Sequence, residues 1–265
     1  MILFVFEGRK TEPALFKTLE YLYFKNPNEQ KICCFGYSIY ELYRLMNESD
    51  FTEDIVTVIK RKLESRNEKP IPEDVSITDF SEVYLFFDYD FQNKNLRLED
   101  LNFQLNEMLG FFSDETDNGK LYINYPMVES IRCTQKLPDE HFHEYRVSRA
   151  ECSDFKDYAS KVYNYYKSTD FMQFSLDKRT KQLRPITKER EQLVKENWCY
   201  LKDQNIKKAN YICNEIYDNE IAPLKVTGFS QILRVMLKFE EITQEEVKEL
   251  KNKLEALELN FYLKV

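Results

Sequence analysis

Glycine is scarce in this chain, with five in 265 residues. Sandwiches and propellers need glycine at many tight turns, so its scarcity argues against a many-turned all-β architecture. Long apolar runs are missing too. No stretch approaches the roughly 20 apolar residues of a membrane span. The run Ile2–Phe6 is too short for the core of a signal peptide, and no basic segment precedes it. The six cysteines, Cys33, Cys34, Cys133, Cys152, Cys199 and Cys213, contain no C-x-x-C pair, which argues against a structural zinc site of the usual spacing. Scattered thiols behind no export signal read as reduced, mostly buried residues of a cytoplasmic protein. There is no G-x-x-x-x-G-K-[ST], no G-x-G-x-x-G and no G-x-S-x-G, which leaves ATP loops, dinucleotide folds and serine hydrolases without their signatures.

What is present supports a globular protein. Hydrophobic residues make up 43% and charged residues 32%, enough apolar material for a core in one large domain or two modest ones. The 46 acidic side chains outnumber 38 basic ones, giving −8 with neutral histidines. A sequence-independent nucleic-acid coat normally carries the opposite sign. The excess is uneven, however. Residues 1–130 hold 24 acidic and 14 basic side chains, net −10, whereas residues 131–265 are net +2. The densest basic run is Lys178, Arg179, Lys181, Arg184, Lys188 and Arg190, with Phe171, Phe174 and Trp198 nearby. It reads either as a solvated face or as a phosphate-contacting surface.

The first half alternates between short apolar runs and helical periodicity. Ile2–Phe6, Ile32–Tyr37, Val83–Phe87 and Leu121–Tyr125 read as buried strands. Helical spacing occupies Leu15–Tyr23, with Thr11 as a candidate N-cap and Pro13 in the first turn. It returns at Ile39–Met46, Asp54–Leu63 and Leu98–Phe112. Such alternation implies βαβ units, hence an α/β domain over residues 1–135 with a mostly parallel four-stranded sheet covered on both faces. Beyond it, residues 136–265 read as mainly α-helical: Phe155–Tyr166, Glu189–Leu201, Ala209–Tyr217, Phe229–Phe239 and Gln244–Leu257. These helices suit packing on the sheet, a homo-oligomer or a partner-bound subunit equally.

The chemistry lies at the strand ends. Glu7 directly follows the first strand, Asp88 and Asp90 follow the third, and Glu129 stands four residues past the fourth. In an open parallel sheet the carboxyl ends of the strands share one edge, where ligands bind. Carboxylates gathered there repel one another unless a proton or cation intervenes. An all-oxygen set suits a hard ion such as Mg²⁺, with Mn²⁺ as substitute. A single acid in such a place is ordinary turn chemistry. Glu7 with an Asp-x-Asp, each behind an uninterrupted apolar run, is harder to explain that way.

Phe6-Glu7-Gly8-Arg9-Lys10-Thr11-Glu12-Pro13 resembles the first motif of the TOPRIM (topoisomerase–primase) domain, in the extended form of stand-alone bacterial defence proteins such as the RloB-like and OLD-family nucleases. Asp88-Tyr89-Asp90 is similar to the second TOPRIM motif, and Pro126-Met127-Val128-Glu129 to a later Pro-x-x-Glu element. The resemblance covers about the first 130 residues and implies a Rossmann-like TOPRIM sheet. It implies that Asp88 and Asp90 hold Mg²⁺, that Glu7 is a further ligand or the general acid/base, and that Glu129 completes the ligand set. Arg9 and Lys10 would neutralise phosphate oxygens or lie in an exposed turn, and Gly8 would let the backbone approach closely. The implied activity is Mg²⁺-dependent nuclease cleavage of RNA or DNA, in antiviral defence beside a separate ATPase.

No tyrosine stands in a context marking a topoisomerase nucleophile, and no primase zinc module is present, so nuclease ranks first. A catalytically weak binding or regulatory subunit is the alternative. A metal nuclease of unrelated fold ranks lower, because no Glu-x-Lys follows Asp88-x-Asp90. Both histidines lie in Glu140-His141-Phe142-His143-Glu144, which reads as a polar surface turn, a transition-metal pair or a proton shuttle.

Overall fold

The computed structural model describes residues 1–24, 29–90, 92–93, 95–134, 139, 145–162, 172–209 and 221–223. Seven strands, β1 (Ile2–Phe6), β2 (Gln30–Cys34), β3 (Glu82–Asp88), β4 (Ser113–Asp114), β5 (Gly119–Asn124), β6 (Arg146–Ser148) and β7 (Ile221–Pro223), are joined with six α-helices among these residues. The helices are α1 (Thr11–Tyr23), α2 (Ile39–Asn47), α3 (Ile55–Glu64), α4 (Leu98–Phe111), α5 (Phe155–Val162) and α6 (Lys188–Ala209). The main sheet has the order β2-β1-β3-β5-β4. Its first four strands are parallel, and only β4 runs antiparallel, against β5. The protein is therefore α/β with a mostly parallel sheet. β4 is a fifth strand that the sequence does not announce. Two exposed residues, Ser113 and Asp114, are too short and too polar to leave a periodic signal.

The central strands owe their place to composition. β1 is buried at every position, and β3 at all but its first residue, so both faces of the sheet must be covered. On one face, parallel register sets Phe4 beside Tyr84, Phe6 beside Phe86, and Phe86 beside Tyr122. Phe16 of α1 closes over this aromatic strip, 4.7 Å from Phe4 and 5.4 Å from Phe6 between ring centroids. Each such fully buried ring contributes roughly 1.5–3 kcal/mol of transfer free energy. The right-handed crossover rule places α2, α3 and α4 on the opposite face, and α2 touches both α3 and α4.

The described part of the second half packs against this unit and shares its core. α5 packs on the 3₁₀ segment Val128–Cys133. Trp198 of α6 is fully buried, and its indole N–H donates to the Met172 carbonyl at 2.6 Å. The helical pattern at Glu189–Leu201 lies within α6, and that at Phe155–Tyr166 begins with α5. A small antiparallel pair, β6 with β7, was not expected in a mainly helical region. The expected helices at Phe229–Phe239 and Gln244–Leu257 lie outside the described residues, as does most of Ala209–Tyr217. No helix among the described residues is long and apolar enough to cross a membrane.

Candidate active site at the carboxyl edge of the sheet

The site begins where β1 ends. The Glu7 amide donates to the Phe86 carbonyl at 3.0 Å, continuing the ladder one residue past the strand. That pairing turns the Glu7 side chain toward β3, where its Oε2 accepts the Asp88 amide at 3.0 Å. Asp88, the last residue of β3, is fixed from the other side. Its Oδ1 accepts from Asn124 Nδ2 at 3.1 Å and from the Val128 amide at 2.9 Å. Tyr89 follows, fully buried, with its amide shared between the carbonyls of Asn124 and Pro126 and its own carbonyl accepting Tyr40 Oη at 3.0 Å. Asp90 takes a left-handed backbone, φ 54°, and its Oδ1 accepts from Gln92 at 2.9 Å. The Asp-x-Asp is held by hydrogen bonds on three sides before any ligand is considered.

α1 supplies a further acid. The sequence reading made Thr11 a helix cap; in the structure Thr11 is already the first helical residue, and Lys10 precedes it without a side-chain cap. The Thr11 hydroxyl instead donates to Glu129 Oε1 at 3.3 Å. Glu12 binds the chain ahead of the helix, its Oε1 accepting the Gly8 amide at 2.8 Å while it remains only 3% exposed. Gly8 is required here for a reason other than backbone approach to substrate: a Cβ on it would lie 2.3 Å from Glu12 Oε2. Gly36 faces the same cleft with φ +73°, and a Cβ there would meet the Arg9 guanidinium at 2.6 Å. Arg9 in turn pairs with Glu68 at 2.8 Å.

Glu129, 2% exposed, sits in the 3₁₀ segment after the cis Tyr125–Pro126 peptide. Lys156 of α5 approaches its Oε1 at 3.4 Å. Its Oε2 is buried and accepts no hydrogen bond. A buried carboxylate oxygen without a donor costs about 1–3 kcal/mol or more.

Electrostatics point the same way. Burial, then Asp88 and Asp90, hold the Glu7 carboxyl well above its usual range. Burial, then Glu12 and Glu129, do the same to Asp88. Glu12 and Asp90 are also raised, each chiefly by burial. The Lys156 ammonium is lowered by burial, but Glu129 and Asp88 more than reverse this and raise it overall. Five carboxyl groups thus share one edge of the sheet around one lysine, and burial is the first cause of the upward shift in Glu7, Glu12, Asp88 and Asp90.

An open cleft of about 650 Å³ lies in front of these groups, lined by Glu7, Glu12, Glu129, Lys156, Arg132 and Lys10 among others. Asp88 and Asp90 are not among the residues that line it. Among the described residues no group of three or more His, Cys, Asp or Glu side chains is already arranged to hold a metal ion. The donor chemistry nonetheless fits a hard divalent cation: all oxygen, negatively charged, with one orphaned acceptor.

Of the residues singled out from sequence, Glu7, Asp88, Asp90 and Glu129 occupy this edge, and Arg9 and Lys10 line the cleft. Lys178, Arg179, Lys181 and Arg184 do not; they lie on a hairpin against α1. His141 and His143 lie outside the described residues. Sequence reading gave no role to Glu12, Lys156 or Asn124. Glu12 stood in the Thr-Glu-Pro of the first motif, and Asn124 at the end of an apolar strand, so both left a trace. Lys156 left almost none, beyond being a cation in the first turn of a helix, where the dipole disfavours it. Compared with family models, curated proteins and solved structures, the chain matches none, and its functional reading rests on the chemistry of this site.

Proposed function

We propose that the chain is a Mg²⁺-dependent phosphodiesterase of TOPRIM type that cleaves nucleic acid. The observation that carries this reading is the buried carboxylate cluster at the carboxyl edge of a parallel sheet, with Glu129 Oε2 unpartnered. Glu7, Asp90 and Glu129 would hold the ion, with Glu12 beside them on the cleft wall. Asp88, whose Oδ1 is engaged by Asn124 and Val128, has only its second oxygen to offer. Mn²⁺ would substitute. Bound Mg²⁺ supplies polarisation of the scissile phosphate and stabilisation of the leaving oxygen.

The protein's own groups divide the remaining work. Lys156 and Lys10 place positive charge along the cleft where phosphate oxygens enter. Glu7 would act either as a ligand of the ion or as the group that carries a proton to or from the reacting oxygens, the two roles excluding one another. Asn124, the Val128 amide and Tyr40 keep the Asp-x-Asp in register with Glu7. The first-motif resemblance extends the proposal to an effector in antiviral defence that acts with a separate ATPase.

The engagement of Asp88 Oδ1 within the fold favours a second reading, in which the acids serve mainly as a docking edge of a binding subunit. Purified protein incubated with RNA and DNA in Mg²⁺ or Mn²⁺ separates the two. The nuclease reading expects cleavage that falls at least about a hundredfold in Glu7→Gln and Glu129→Gln. Cleavage that survives both substitutions refutes the assigned site, and no cleavage of either polymer supports the docking reading.

A further inference from the structure

The basic run that stood apart from the motifs forms a built surface. Residues 174–184 fold as a hairpin: Leu176 bridges Leu183, the Asp177 amide donates to the Gln182 carbonyl at 2.8 Å, and the Arg184 amide to Ser175 at 3.0 Å. At its tip the Lys181 amide closes on the Asp177 carbonyl at 2.9 Å, with Lys181 itself at φ 60°. Asp177, the acid of the tip, spends its charge internally, its Oδ1 accepting the amides of Arg179 and Thr180 at 2.9 and 2.8 Å. Lys178, Arg179, Lys181 and Arg184 are exposed, and among the described residues none of them forms an ion pair.

The hairpin is anchored along α1. The Phe174 amide donates to Thr18 Oγ1 at 2.9 Å, and Lys17 Nζ donates to the Lys181 carbonyl at 2.9 Å. Phe174 also packs edge-on against Tyr21, 5.5 Å between centroids, and Tyr21 remains 48% exposed. At 100° per residue Lys17 and Tyr21 fall about 40° apart, so they share one stripe on α1, which Lys10 precedes. Lys10 lines the cleft at one end of that stripe. With a rise of about 1.5 Å per residue, Lys17 lies about 9 Å and Tyr21 about 15 Å along the axis from Thr11. A line of positive charge therefore leaves the cleft, passes the hairpin tip and ends beside an exposed aromatic ring.

We infer that this stripe and hairpin carry a single strand of nucleic acid to or from the cleft, with phosphates on Lys17, Lys178, Arg179, Lys181 and Arg184 and a base on Tyr21. The inference rests on the nuclease reading and names its substrate class. A solvated charge patch needs no aromatic beside it. Charged groove and stacking ring together are the combination that holds unpaired strands without regard to sequence. The −8 net charge fits the same picture, since attraction is confined to a local track.

The test uses the full chain and fluorescence anisotropy of a labelled oligonucleotide of about 15 nucleotides, single-stranded or as a duplex, in EDTA across a salt series. Mg²⁺-dependent cleavage is measured on the same preparations. The wild type is expected to prefer the single strand. The triple variant Lys178→Glu, Arg179→Glu, Arg184→Glu, all at exposed hairpin positions, should bind about 10- to 100-fold more weakly, with a log–log salt slope flatter by about two. Its cleavage should show a raised KM with kcat largely kept. Tyr21→Ala should weaken binding about tenfold with the slope unchanged. If the wild type cuts nucleic acid while the triple variant keeps its affinity and slope, the hairpin assignment is wrong and the nuclease reading stands. If the duplex binds better and Tyr21→Ala has no effect, the single-strand assignment is wrong. If the wild type neither binds nor cuts any strand, both readings fall.

Discussion

Replacing Gly8 with alanine tests how the site is built, because a single methyl group meets a single carboxylate. The added Cβ would lie 2.3 Å from Glu12 Oε2, 2.5 Å from Oε1 and 2.7 Å from Cδ. To reach an ordinary C···O separation of about 3.3 Å the carboxylate must withdraw by about 1 Å. The Gly8 amide then loses its 2.8 Å bond to Oε1, and a charge-assisted hydrogen bond of this kind contributes about 1.5–3 kcal/mol. Gly8 does not occupy a left-handed backbone, so alanine would itself stabilise by about 0.4–1 kcal/mol through the unfolded chain. The net expectation is a loss of about 1–2 kcal/mol in urea unfolding. In a Glu12→Ala background the methyl has nothing to displace, and the same substitution should be neutral or slightly stabilising. The double-mutant cycle should thus return a coupling of about 1.5–2.5 kcal/mol. Equal costs of Gly8→Ala in both backgrounds would refute the claim that Gly8 exists to admit Glu12.

Two further outcomes follow from the charges. The carboxyls of Glu7, Asp88, Glu12 and Asp90 are raised in the fold, so the folded state binds their protons more tightly than the unfolded chain does. Their contribution to metal-free stability should therefore be fully present below the unfolded carboxylate value of about 4 and be lost as pH rises through the raised folded values. Mg²⁺ at about 100 times its dissociation constant adds about 2.7 kcal/mol. The rise in Tm should be larger at pH 8 than at pH 5, by calorimetry; an equal rise at both would contradict the cluster as the binding site. Lys156→Met removes the cation facing Glu129, so Mg²⁺ affinity by isothermal titration should hold or tighten while kcat falls at least about tenfold. Loss of Mg²⁺ binding instead would make Lys156 a structural prop.

The sheet was legible because its central strands are buried on both faces, and Phe4-Val5-Phe6 and Leu85-Phe86-Phe87 leave no polar interruption to misread. The same continuity marked Glu7 and Asp88 as the first charges after each run. Side chains that reach the site through tertiary contact were not legible. Glu12 looks like an ordinary acid in a first helical turn until the chain before α1 bends back to give it the Gly8 amide. Thr11 looks like a cap until Glu129 claims its hydroxyl. Lys156 enters from more than twenty residues beyond Glu129, through α5 packing on the 3₁₀ segment, and no local pattern encodes that approach. The basic run was visible as composition, but its hairpin and its anchorage to Lys17 and Thr18 depend on α1.

The central claim is that a divalent cation completes the carboxylate cluster, and a crystal of the protein soaked in Mn²⁺ tests it most directly. The account predicts an anomalous peak bounded by Glu7, Asp90 and Glu129, coordinated by Glu129 Oε2 and abolished in Glu129→Gln. Anomalous density elsewhere, with Glu129 Oε2 still uncoordinated, would contradict it.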